Sequence, residues 1–157
     1  MRVPRPDRSP PPGAKTAFID YRVPFYDTDA MRVVHHARYV HYLELARIEY
    51  LDLHDRPYRE YVAEGLNFAV TGLEVRYREA ARYDDRLRVT CWLAWLKKVS
   101  LAIGYVIYRD STWIASATTE HALVSDDGRL VAIPAERHAC LAKGLAPPEA
   151  GVTRARL

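Results

Sequence analysis

From Ala37 to Leu53 the chain runs without a glycine or proline, and after Gly65 its apolar period changes from 3.6 residues to 2. That switch limits the fold more than any other feature: one long helix must be accommodated by a run of strands. At 100° per residue, Tyr39, Leu43, Ala46, Tyr50 and Leu53 share one stripe. Arg38, His41, Glu49 and Asp52 gather opposite, with Leu45 and Ile48 among them. Arg47 falls inside the apolar arc. A helix apolar around so much of its circumference is expected to be largely enclosed. Pro57 ends it, and 56–65 reads as a short second helix closed by Gly65.

In 68–80 Leu73, Val75 and Tyr77 alternate with Glu74, Arg76 and Arg78, a strand with one wet face. Segments 86–96, 100–109 and 113–124 follow after short polar turns and are apolar on both faces in places. They must lie centrally or be covered by a partner. In front of the helix, 17–25 reads as a strand whose Pro24 suggests an edge. Behind the last strand, SDDG at 125–128 is a turn, 129–134 a short extension, and 134–144 a closing helical turn or two. The fold class is therefore α+β: a curved antiparallel sheet of about five strands, read as a meander, wrapped around one long helix.

The 157 residues make one domain of ordinary globular composition, 49% hydrophobic and 27% charged. No stretch approaches the ~18 apolar residues of a membrane span. The net charge of +3 invites a nucleic-acid reading, but the basic surplus sits at the ends. Arg2, Arg5, Arg8 and Lys15 face only Asp7, and Arg154 and Arg156 face only Glu149. A nucleic-acid surface needs its cations on the folded part, so no such partner is expected. Seven of the ten prolines also lie at the ends, so 1–16 and 145–157 are expected as extended tails around a domain at 17–144. No apolar signal segment opens the chain, and the expected location is the cytoplasm. Cys91 and Cys140 are too few for a disulfide framework or a four-cysteine metal site.

Chemistry concentrates between the first strand and the helix, in VPFYDTDAMRVVHHARYVHYLELAR. Asp27-Thr28-Asp29, Val33-Val34-His35-His36, Tyr39, and Glu44 with Arg47 occupy it in order. This pattern resembles the hotdog-fold thioesterases of the 4-hydroxybenzoyl-CoA and Tol–Pal-associated acyl-CoA type. The resemblance extends as architecture to about residue 143. It implies a single hotdog domain that hydrolyses an acyl thioester without cofactor or metal. One departure is Arg32, where the family often has glycine.

By that resemblance Asp29 is the catalytic carboxylate, acting as nucleophile or as base for water. His36 lines the pocket or orients the acid. Backbone NH groups around His35, His36 and Ala37 open the helix and are expected to form the oxyanion hole, with Tyr39 beside them in the pocket. Asp27 is expected to be structural, holding the loop through backbone NH groups. Glu44 and Arg47, three apart, read most simply as an ion pair on the helix, with Glu44 as the alternative carboxylate. The cluster of His35, His36 and His41 lacks the spacing of a metal site. Lys97, Lys98 and Ser100, in the turn between two long strands, match the region where the family meets the nucleotide end of coenzyme A.

The expected partners are therefore acyl-CoA or acyl-carrier protein as substrate and further copies of the same chain, as a homodimer or homotetramer. Two competing functions remain. A hotdog dehydratase would need a glycine- and phenylalanine-rich histidine loop that this chain lacks. A non-catalytic acyl-thioester-binding module would have no need of Asp29 at the helix entrance.

Overall fold

The computed structural model describes residues 9–148. The chain runs β1 (Thr16–Arg22), a 3-10 turn (Phe25–Asp27), α1 (Arg38–His54), α2 (Tyr58–Ala63), β2 (Leu66–Tyr77), β3 (Arg86–Leu96), β4 (Ser100–Arg109), β5 (Thr112–Ser125) and α3 (Ala135–Ala142). The sequence boundaries for β3 and β4 hold to the residue, because a charged turn closes each end.

The five strands form one antiparallel sheet in the order β1-β3-β4-β5-β2. Only β3, β4 and β5 are a meander. The expected four-strand meander is corrected at β2, which pairs with β5 rather than with its successor β3. The reason lies in β1: it pairs with β3 from Thr16–Trp92 to Arg22–Arg86, so that edge is taken. The link 78–85 carries the chain across to reach it.

One face of the sheet receives α1. Cys91 sits in register with Tyr105 and Ala117, and its thiol donates to the Ala46 carbonyl at 3.2 Å. Tyr39, Tyr42, Leu43, Ala46, Arg47, Tyr50 and Leu51 form the buried side of the helix. Leu53 is 63% exposed and Leu45 is also exposed, so α1 is not enclosed as its composition suggested. The sheet covers one side of it and leaves the other to solvent.

The outer face of β4 is closed by the chain itself. Trp92 lies over Gly104, where a Cβ would meet the indole at 2.6 Å. β3 and β4 thus need no partner to cover them; β4 is simply the central strand. Exposed apolar side chains lie instead on the edge strand β2, at Val70, Leu73 and Tyr77. No described helix is long and apolar enough to cross a membrane. Of the expected N-terminal tail, residues 1–8 lie outside the described part, as do residues 149–157 of the C-terminal one. Within the described part, Lys15 N donates to Gly144 O at 3.0 Å, tying the two ends together.

Candidate active site

The loop between β1 and α1 folds as a small closed hairpin. Thr28 bridges Val34, Asp29 N donates to Val33 O at 3.0 Å, and Arg32 N donates to Asp29 O at 2.9 Å. Arg32 sits at the tip with φ of +61°. This left-handed conformation is strained for a side chain and free for glycine. It is the position where the family often has glycine.

Two acids two residues apart have different fates in this hairpin. Asp27 is 3% exposed and accepts from Tyr42 Oη at 2.6 Å and Tyr21 Oη at 2.9 Å. Arg38 Nε stands 3.7 Å away. The expected structural role is found, but through tyrosine hydroxyls rather than backbone NH groups, because the carboxylate turns inward between β1 and α1. Burial and the Asp27 carboxylate push the Tyr21 hydroxyl up to about 12 and the Tyr42 hydroxyl higher still, so both stay protonated donors. Asp29 is half-buried; its Oδ1 accepts from Met31 N at 2.8 Å, which fixes the side chain, and among the described residues Oδ2 has no hydrogen-bond partner.

Asp29 lines a cavity of about 290 Å³ together with Met31, Val34, His36, Tyr39 and Tyr77. The structure therefore brings Asp29, His36 and Tyr39 together. Tyr39 is buried, with Ala81 N donating to its hydroxyl at 3.4 Å, and desolvation raises its pKa. Tyr77, which the alternation of β2 marked only as a strand residue, forms the opposite wall. Its ring meets Tyr39 edge-on at 5.2 Å, and its hydroxyl donates to the His36 carbonyl at 2.8 Å.

The three backbone donors expected at the helix entrance are reduced to one. His35 N donates to Asp27 O at 2.9 Å, and Ala37 N donates to the His35 ring at Nδ1, 3.2 Å away. Helix α1 begins at Arg38, one residue later than the sequence pattern placed it. Of the three amides, only that of His36 lacks a hydrogen-bond partner among the described residues.

His35 and His36 stack at 4.2 Å, and His35 faces a second cleft of about 360 Å³ with Tyr26, Arg38 and His41. A further cavity of about 640 Å³ lies against β1 and β3 and holds none of the loop's residues; the bidentate pair Arg88–Asp20 lines it. Among the described residues no three potential metal ligands converge.

Glu44 and Arg47 approach at 3.9 Å as the spacing implied, with Glu44 in solvent and Arg47 buried. The Arg47 guanidinium lies 3.5 Å from His121 Nε2, and Thr119 Oγ1 joins His121 to Tyr105. Desolvation and then the Arg47 charge hold His121 down to about 4. Cys91 is pushed up to about 12 by burial, which keeps it a thiol and an inert core residue. Lys97, Lys98 and Ser100 are not in the Asp29 cavity. Ser100 pairs with Ala122, whereas Tyr77 pairs with Ala115, so they stand about 23 Å apart along β5 at ~3.3 Å per residue.

Comparison with known proteins gives this arrangement a family. The thioesterase-like superfamily matches residues 23–147. The acyl-CoA thioesterase YbgC of Haemophilus influenzae is 36% identical over 118 residues, covering 73% of this chain and 86% of that one. A Thermus thermophilus protein of unassigned function, TT1821, superposes with a TM-score of 0.80 at 29% identity, covering 85% of this chain and all of that one. The 1,4-dihydroxy-2-naphthoyl-CoA thioesterase of Synechocystis shares the fold at a TM-score of 0.73 and 17% identity, over 82% of this chain and 96% of its own. The chain belongs to the thioesterase-like superfamily: it is a thioester hydrolase with the hotdog fold.

Proposed function

We propose that the protein hydrolyses an acyl-CoA thioester, or the same thioester on an acyl-carrier protein, in the cavity between Asp29 and Tyr77. The observation that carries this reading is one cavity lined by both Asp29 and His36, with the Asp29 Oδ2 and the His36 amide unbonded among the described residues. Asp29 takes a proton from water, and the resulting hydroxide adds to the thioester carbon. In the variant course the carboxylate itself adds, and water then cleaves the anhydride. Either way negative charge develops on the carbonyl oxygen, where the His36 NH donates. Such a donor is worth about 3–4 kcal/mol when aimed at the transition state. The C–S bond then breaks, and the thiolate leaves and takes up a proton. The His36 ring walls the cavity beside the acid.

The working unit is a homodimer or homotetramer. β2 is an edge strand with unpaired backbone groups and exposed Val70, Leu73 and Tyr77, which a second copy would cover. Two-fold pairing along β2 reverses one strand against the other. The Lys97–Lys98 turn of one protomer then approaches the Asp29 end of its partner, which suits a carrier whose phosphates lie remote from the scissile bond. The enzyme is placed in the cytoplasm with its substrate.

A panel of purified thioesters tests the reading: aryl, short-chain and long-chain acyl groups on CoA and on a pantetheine fragment, with thiol release as the signal. Turnover of at least one class, favouring the CoA form, is expected. Binding without thiol release across the panel would overturn it in favour of an acyl-thioester-binding module.

A further inference from the structure

The peptide run through His36 is held on both sides and open in the middle. Before it, His35 N is tied to the Asp27 carbonyl; after it, Ala37 N is tied to the His35 ring. The His36 carbonyl is held from outside the loop, by Tyr77 Oη at 2.8 Å across a sequence distance of 41 residues. Among the described residues Tyr77 is the one hydrogen-bond partner of His36 that belongs to another element. Burial raises the pKa of Tyr77, so its hydroxyl remains a donor.

The His36 NH shares its peptide plane with the His35 carbonyl, which accepts from Arg38 N at 2.9 Å, so its direction is set relative to the start of α1; the His36 carbonyl, one peptide plane further on, ties that unit to β2 through Tyr77. An oxyanion donor must be held within about 0.5 Å of its productive place. The Arg38 bond orients the amide within the loop and helix start, but it does not set where they stand against the cavity wall that β2 forms. Tyr77 does, because it is the last residue of β2 and its backbone is fixed by pairing with Ala115 on β5.

We propose that Tyr77 is a positioning residue. By gripping the His36 carbonyl, its hydroxyl holds the helix entrance against the cavity wall, and with it the His36 amide stays aimed at the thioester oxygen. This rests on the assignment of that amide as the oxyanion donor. The function is distinct from the wall Tyr77 presents to the acyl group, which its ring alone provides.

Tyr77→Phe separates the two, since it keeps the ring and its contact with Tyr39 and removes only the hydrogen bond. The expected result is a fall in kcat of ~10–100-fold, the scale of a displaced catalytic group. KM should stay within about two-fold, because the donor acts on charge that exists only in the transition state. The shape of the pH–rate profile should not change, because Tyr77 transfers no proton. Tyr77→Leu, which also removes the wall, should add a rise in KM.

Wild-type kcat in Tyr77→Phe would overturn the proposal, as would a rise in KM at constant kcat. Loss of one limb of the pH profile would overturn it by making Tyr77 a proton donor. Asp29→Asn is measured alongside. If that variant is inactive while Tyr77→Phe is unaffected, the positioning role alone fails; if Asp29→Asn keeps full activity, the site assignment itself fails.

Discussion

Asp27 and Asp29 stand two residues apart at one hairpin, yet the fold puts them in opposite surroundings. Asp27 is turned into the body of the molecule, and both hydrogen bonds to its side chain come from rigid neighbours, Tyr21 on β1 and Tyr42 on α1. Asp29 faces a cavity and is anchored by a single local bond, from Met31 N to its Oδ1. A buried carboxylate held by two hydroxyl donors on separate elements stabilises a structure, and one with an unbonded oxygen beside an open volume can take a proton or attack a carbon. The difference is produced by burial and partners, not by residue type.

Substitution should divide the two cleanly. Asp29→Asn preserves size and the bond from Met31 but removes the anion, so kcat is expected to fall ~10²–10⁴-fold with the melting temperature almost unmoved. Activity within a few-fold of the parent would erase the contrast and turn attention to Glu44. Asp27→Ala should do the reverse in thermal denaturation. It strands the Tyr42 and Tyr21 hydroxyls and should remove about 2–4 kcal/mol, a fall of roughly 5–15 °C in Tm for a domain of this size. A Tm change below about 2 °C would show that the tyrosines find other acceptors.

A pH titration of stability probes a third buried group against these two. His121 titrates near 6.5 when unfolded but is held down to about 4 in the fold, mainly by desolvation. The folded state therefore binds fewer protons, and its advantage is complete above about 6.5 and declines as pH falls toward 4. The full decline is about 3 kcal/mol. His121→Gln should flatten that part of the Tm–pH curve; a slope identical to the parent's would assign the acid sensitivity elsewhere. The smallest effect expected is a gain. Arg32→Gly relieves the positive φ at the hairpin tip and should stabilise the protein by about 0.5–1 kcal/mol in denaturant titration. A destabilised variant would mean that the Arg32 side chain makes a contribution larger than its strain.

The helix and the strands were legible because their signals are local: an unbroken 3.6 period ending at Pro57, and alternations stopped by charged turns. Strand order was not local. Nothing in 68–80 says that β1 will occupy the edge of β3, so β2 looked like the next strand of a meander. In the site, Asp29, His36 and Tyr39 were found together because a motif held them at fixed spacing. Tyr77 was missed because its partner lies 41 residues away and its side chain fits the alternation of an ordinary strand. The number of free amides at the helix entrance was also beyond sequence, since it depends on a carbonyl of Asp27 and the rotamer of His35. Leu53 illustrates the converse: it falls on the apolar stripe, but the sheet does not reach to cover it.

The contact of Trp92 with Gly104 has a consequence for how this sequence can drift. The indole is buried against the bare Cα, and the smallest possible side chain at 104 would stand 2.6 Å from it. No rotamer change relieves that, because Trp92 is wedged on the outer face of two paired strands. Trimming the tryptophan first leaves a hole over β4; enlarging the glycine first drives a collision. Each single step leads downhill in fitness, although a swap of both volumes could restore the packing. The two positions are therefore expected to change together in descendants of this chain or to stay frozen.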